Sequence, residues 1–179
     1  KAEEKDRIAR KAVSLIERGR SIILDTGSTT EYIARFIPEG QELCVLCFSL
    51  NSILPLSKKE GVKIILPGGY FHENTLMFES PEGTALIKRT RAEIAFISAS
   101  WIDPDLGVTC ATLYETETKQ AALASARKKV LVADSSKFGR VSATWFADLS
   151  AFDILITDTG LSAAFRQKIK KSGVRLITV

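Results

Sequence analysis

With a single histidine, His72, the 179-residue chain has no material for a histidine-rich metal centre, and no metal or cofactor is expected. Cysteine is nearly as sparse. Cys44, Cys47 and Cys110 make an odd count, two of them inside an apolar run, which argues against a disulfide framework and for a reducing, cytoplasmic setting. Cys44-Val45-Leu46-Cys47 spells C-x-x-C, but its apolar, strand-like context and the lack of a second pair point to neither zinc nor redox chemistry. No apolar run approaches the roughly eighteen residues a membrane helix needs, and no signal peptide is visible, so no membrane partner is expected. Neither a P-loop nor a dinucleotide G-x-G-x-x-G occurs, and no basic run is interleaved with stacking aromatics. The last absence weakens a nucleic-acid reading that the net charge of +4 and pI near 9.0 would otherwise invite.

What the chain does have is a 45% share of apolar side chains with only five prolines, enough for one sizeable core. Residues 1–179 are therefore expected to form one domain. Ile8, Ala12, Leu15 and Ile16 share a helical face, with Gly19 where a C-terminal cap is wanted. Seven short apolar runs rich in β-branched residues follow, at 21–24, 43–47, 62–66, 94–97, 130–133, 154–157 and 174–178. Several are apolar at nearly every position, as strands covered on both faces are, and helical patterns alternate with them at 31–36, 51–56, 83–88, 115–126 and 163–171. The expected fold is α/β, an open and mostly parallel sheet with helices on both faces. Ligands of such sheets bind beyond the carboxyl ends of the strands.

The segments just past the strands are polar. Ile22-Ile23-Leu24 runs into Asp25-Thr26-Gly27-Ser28-Thr29-Thr30 at a helix start, where unpaired amides and the helix dipole favour an anion. Asn51, Gly68-Gly69, Ser98-Ala99-Ser100 and Asp134-Ser135-Ser136-Lys137-Phe138-Gly139 follow later strands, and Lys137 supplies a point charge that suits phosphate. Singly, each has an ordinary explanation as cap, turn or surface charge; together they favour a polar pocket. Glu115 and Lys119 share a helix face four residues apart, which fits an exposed ion pair as well as a pocket wall. Asp103-Pro104-Asp105-Leu106-Gly107 has the composition of a turn.

In this order, Asp25 to Thr30, Ser49-Leu50-Asn51, Gly68-Gly69, Thr109-Cys110 with Glu115 and Lys119, Asp134 to Gly139 and Ile156-Thr157-Asp158 resemble the C-terminal sensor domain of the DeoR family of bacterial transcriptional repressors. The resemblance covers almost the whole chain, and its most specific element is Asp-Ser-Ser-Lys-Phe-Gly with the later Thr-Asp. It implies a fold like that of ribose-5-phosphate isomerase and the CoA transferases, serving as an effector-binding domain for a phosphorylated sugar, with deoxyribose 5-phosphate the leading ligand. By the same resemblance Asp25, Thr26, Gly27, Ser28, Thr29, Thr30 and Lys137 hold the phosphate, and Asn51, Gly68, Gly69, Ser100, Glu115 and Lys119 line the sugar end. Operator DNA would be read by an N-terminal winged helix-turn-helix that is not in this chain, which opens at Lys1 within a helical pattern. A homodimer or homotetramer is implied, since operators with two-fold symmetry are read by symmetric proteins.

An aldose-ketose isomerase of the ribose-5-phosphate type is the competing reading. Isomerases of this fold carry an acidic loop where this chain has Ser98-Ala99-Ser100-Trp101, and a Ser hydroxyl cannot replace a carboxylate base at neutral pH. Asp103 lies near enough in sequence to substitute. The expectation is a sensor and not an enzyme, with Thr29→Ala plus Lys119→Ala lowering affinity while leaving the fold intact.

Overall fold

A computed structural model describes all 179 residues. The elements in chain order are α1 (Ala2–Val13), β1 (Ser21–Leu24), α2 (Ser28–Phe36), β2 (Leu43–Cys47), α3 (Leu50–Leu56), β3 (Val62–Ile65), β4 (Tyr70–His72), β5 (Met77–Glu79), α4 (Pro81–Arg89), β6 (Ala92–Ile97), β7 (Trp101–Asp103), β8 (Gly107–Cys110), α5 (Tyr114–Ser125), β9 (Ala126–Val132), β10 (Thr144–Ala147), β11 (Ile154–Thr157), α6 (Ala163–Lys171) and β12 (Arg175–Thr178).

Seven strands form one sheet in the order β12-β11-β9-β6-β1-β2-β3, and every pairing in it is parallel. All seven are those the apolar runs predict. Side chains alternate across the sheet, so Ile23 faces one core layer while Ile22 and Leu24 face the other. The second layer is completed by α1, α2 and α3 through Ile8, Ala12, Ile33 and Leu56, and the first by α4, α5 and α6 through Ile87, Ala122 and Ile169. Strand order reverses between β1 and β6, so the crevice of a doubly wound sheet opens above the ends of those two strands.

The structure adds what the periodicity does not predict: an antiparallel β10-β8-β7 sheet and the β4-β5 hairpin. The Asp103–Gly107 segment is the β7-β8 turn, where Asp103 Oδ1 accepts from the amides of Asp105 and Leu106 at 2.9 and 3.0 Å. Helix α1 stops at Val13, three residues short of the end of the apolar periodicity at Ile16. Leu15 and Ile16 sit in tight turns, their amides donating to the carbonyls three residues back. Cys44 and Cys47 lie three apart on β2 and so point to opposite faces, which rules out a bond between them. Burial pushes the Cys47 thiol up to about 12, so it stays protonated packing material.

Candidate functional site

At the crevice, β1 runs into Asp25 and Thr26, both buried, and then into Gly27, whose φ of 138° opens helix α2. No side chain caps α2, so the first-turn amides of Ser28 and Thr29 face outward with the positive end of the helix dipole behind them. The backbone of Gly27 also has to lie close to Ser98, because a Cβ there would sit 2.7 Å from Ser98 Oγ. These amides border a cavity of about 290 Å³ lined, among others, by Thr26, Gly27, Ser28, Thr29, Asn51, Ser98, Ser100, Glu115, Lys119 and Lys137.

Below the cavity is a buried charge cluster. Lys119 Nζ lies 2.5 Å from Asp25 Oδ2 and 3.2 Å from the Ser98 carbonyl oxygen, and both charged side chains are excluded from water. The Ser98 amide and hydroxyl donate to the same Asp25 oxygen at 2.9 and 3.1 Å, leaving Asp25 Oδ1 without a partner. Burial raises the Asp25 pKa, with the Lys119 ammonium and the Ser98 amide pulling the other way. Glu115 Oε2 is 3.8 Å from Lys119 Nζ, and its Oε1 accepts from the Thr112 amide and hydroxyl at 3.1 and 2.7 Å. An exposed Glu115–Lys119 pair is thereby excluded: both side chains are buried and both border the cavity.

Lys137 is held from the opposite side. Asp134 Oδ1 accepts from the Ser136 amide at 3.0 Å and from its hydroxyl, while Asp158 takes the Ser135 amide at 2.6 Å, the Ser135 hydroxyl at 2.7 Å and the Gly160 amide at 2.9 Å. The Asp-Ser-Ser-Lys and Thr-Asp segments thus form one clamp whose product is the position of Lys137. Trp101 packs beside it, with Lys137 Nζ 5.3 Å and the Arg140 guanidinium 5.0 Å from the ring centre. Desolvation alone would raise the Asp158 pKa, but the donors from Ser135 and Gly160 outweigh it and leave the group below its ordinary value. A carboxyl lowered by folding stabilises the native state above its unfolded pKa and loses that contribution as pH falls through its folded pKa. The stability difference between wild type and Asp158→Asn, measured by urea unfolding, is therefore expected to be full at pH 7 and to shrink steadily below about pH 4.

Of the residues expected at the site, the structure gathers Thr26, Gly27, Ser28, Thr29, Asn51, Ser100, Glu115, Lys119 and Lys137 around the cavity. Asp25 is not on its wall; it lies underneath and positions Lys119, where a carboxylate does not have to meet an anion. Thr30 is also buried, its hydroxyl donating to the Gly27 carbonyl at 2.8 Å. Gly68 and Gly69 are elsewhere: Gly69 has a φ of 116° and abuts the Glu79 carbonyl, 2.2 Å from where a Cβ would stand, so it is there for hairpin packing. Asp103 is occupied by its own turn and is absent from the wall. The sequence reading passed over Asn74, Thr75 and Leu76 of the hairpin turn and gave Ser98 no part of its own; all four line the cavity.

Sheet order and crevice define a doubly wound α/β domain with a polar, lysine-bearing pocket at its switch point. The chain belongs to the DeoR C-terminal sensor domain family, whose model matches residues 1–159. Among the relatives it resembles is the deoxyribose operon repressor. That repressor from Escherichia coli (strain K12) is 36% identical over 156 residues, which are 87% of this chain and 62% of the repressor, so the chain spans less than two thirds of this relative's length. The HTH-type transcriptional regulator GolR of Listeria innocua is 30% identical over 172 residues, 96% of this chain and 68% of GolR. Among solved structures, ribose 5-phosphate isomerase from Plasmodium falciparum aligns over 75% of this chain and 52% of its own with a TM-score of 0.52 at 18% identity, a likeness of fold.

Proposed function

We propose that residues 1–179 are the effector-binding domain of a DeoR-type transcriptional repressor, and that the effector is a phosphorylated sugar bound in the crevice between β1 and β6. The observation that carries this reading is the uncapped N-terminus of α2 opening into a cavity that also holds Lys119 and Lys137. A phosphate ester would sit on the amides of Gly27, Ser28 and Thr29 with Lys137 as a further cation, and the sugar would reach Asn51, Ser100, Glu115 and Lys119. Deoxyribose 5-phosphate is the first candidate, in keeping with the name of the E. coli relative. The whole protein would act in the cytoplasm as a dimer or tetramer and read its operator through a DNA-binding part outside these residues, as the name HTH-type regulator suggests for GolR. Ligand would alter DNA affinity only by its differential affinity for the DNA-bound and DNA-free arrangements.

Sensing is favoured over isomerisation because Ser100, and not a carboxylate, lines the cavity in the loop after β6, while Asp103 is engaged in its own turn. Calorimetry with deoxyribose 5-phosphate, ribose 5-phosphate, glycerol 3-phosphate and inorganic phosphate tests the reading. Saturable binding of a sugar phosphate, with no ribulose 5-phosphate formed from ribose 5-phosphate, is the expected result. Turnover would favour the isomerase, and no binding of any phosphate would remove the proposal.

A further inference from the structure

The β4-β5 hairpin turn, residues 73–76, roofs the cavity with Asn74, Thr75 and Leu76. Backbone bonds anchor the hairpin to its surroundings, Leu50 N to the Leu76 carbonyl and Phe78 N to that of Phe48, each at 2.8 Å, while the Met77 side chain is fully buried. A second set of contacts goes to the roof itself. The Tyr114 hydroxyl donates to Asn74 Oδ1 at 2.8 Å and lies 3.3 Å from Thr75 Oγ1, and the Thr26 hydroxyl donates to the Thr75 carbonyl at 3.0 Å. The Tyr114 ring stacks on His72 with centroids 3.7 Å apart and planes 6° from parallel, and His72 Nε2 is 2.9 Å from Glu79 Oε2.

The hairpin is thus fastened without Tyr114, whose hydroxyl instead fixes the two polar side chains of the roof. With its oxygen occupied and no protein acceptor on its amide NH₂, the exposed Asn74 side chain keeps a donor available on a residue that lines the cavity. Asn74 borders the same cavity as Glu115 and Lys119 of α5, the helix that Tyr114 opens. The geometry points to Asn74 as a specificity-determining contact to an acceptor oxygen of the sugar moiety, and to Tyr114 as the positioning residue that aims it. This rests on the sugar-phosphate reading above. The ligand class is thereby narrowed to esters carrying an oxygen acceptor beyond the phosphate, which a bare phosphate cannot supply.

Calorimetry on wild type, Asn74→Ala, Tyr114→Phe and the double variant, with deoxyribose 5-phosphate and inorganic phosphate as probes, tests this. Tyr114→Phe keeps the stack on His72 and removes only the hydroxyl. Each single change is expected to raise the Kd for deoxyribose 5-phosphate about five- to tenfold, the worth of one neutral hydrogen bond, and the double change no further. The Kd for inorganic phosphate should stay within about twofold. Equal losses for both probes, an unchanged Tyr114→Phe, or additive losses in the double variant would overturn the assignment. Wild type that binds inorganic phosphate without gaining affinity from the sugar overturns the roof contact and leaves the anion cradle standing; wild type that binds neither overturns both.

Discussion

Lys119→Ala is expected to destabilise the protein by about 3–5 kcal/mol, because it removes the cation paired with the buried Asp25 carboxylate. For a domain of this size that is a fall in Tm of about 2–4 °C per kcal/mol. Urea unfolding would show the loss as a lowered midpoint at unchanged slope. Asp25→Asn in the Lys119→Ala background should recover much of it by removing the uncompensated charge, although Asp25→Asn alone leaves Lys119 unpaired and is itself destabilising. Additive losses would show that the two groups do not form one unit. The pairing also changes the experiment the sequence suggests. With Lys119 buried against Asp25, Thr29→Ala with Lys119→Ala is expected to cost stability, so affinity at the cradle is better probed with Thr29→Ala alone.

Gly27→Ala is expected to lower sugar-phosphate affinity about a hundredfold, equivalent to losing one or two charge-assisted hydrogen bonds from the cradle amides. Two features of the position act together. A φ of 138° is one that only glycine adopts without strain, and the added methyl would stand 2.7 Å from Ser98 Oγ, which is itself tied to Asp25 and to the Thr26 carbonyl. Ser98 cannot move without disturbing the Lys119 cluster. A stability loss of about 1–3 kcal/mol should accompany the binding defect. Gly19→Ala is the control: Gly19 also has a positive φ, of 75°, but nothing lies within 4 Å of its would-be Cβ and it is remote from the cavity. It should cost stability and leave affinity alone. Equal binding losses in the two variants would mean that backbone strain, and not the cradle, explains the effect.

The main sheet is readable in the sequence because each of its strands is an apolar run bounded by polar loops, and a parallel sheet buried on both faces requires that pattern. The small β structures are not readable for the converse reason. Strands β4 and β5 are three residues each, Tyr70 and Phe71 are exposed, and the turn between them contains no glycine; Leu76 itself takes a φ of 54°. The spacing overextends α1 because Leu15 and Ile16 continue the helical pattern while the chain is already turning.

At the site, residues contiguous with the β1-α2 turn are visible as a motif, and Lys137 is visible through its Ser-rich loop. The Asp25–Lys119 pair spans 94 residues, and no local pattern registers such a contact. Contiguity with Gly27 and Ser28 therefore groups Asp25 with the phosphate ligands, whereas the structure buries its carboxylate against Lys119. Gly68-Gly69 reads as a ligand turn but does not line the cavity, because a polar glycine turn after a strand has the same composition whether it serves a ligand or the close packing of a hairpin.

The most direct measurement of the central claim is an amide NMR titration of the labelled domain with deoxyribose 5-phosphate. The account predicts the largest, saturable shifts at the Gly27, Ser28 and Thr29 amides, with smaller ones at Asn51, Asn74 and Lys137. Shifts that bypass Gly27 to Thr29 and gather instead at the arginine-lined hollow of Arg20, Arg91 and Arg127, formed where β1, β6 and β9 begin, would contradict it.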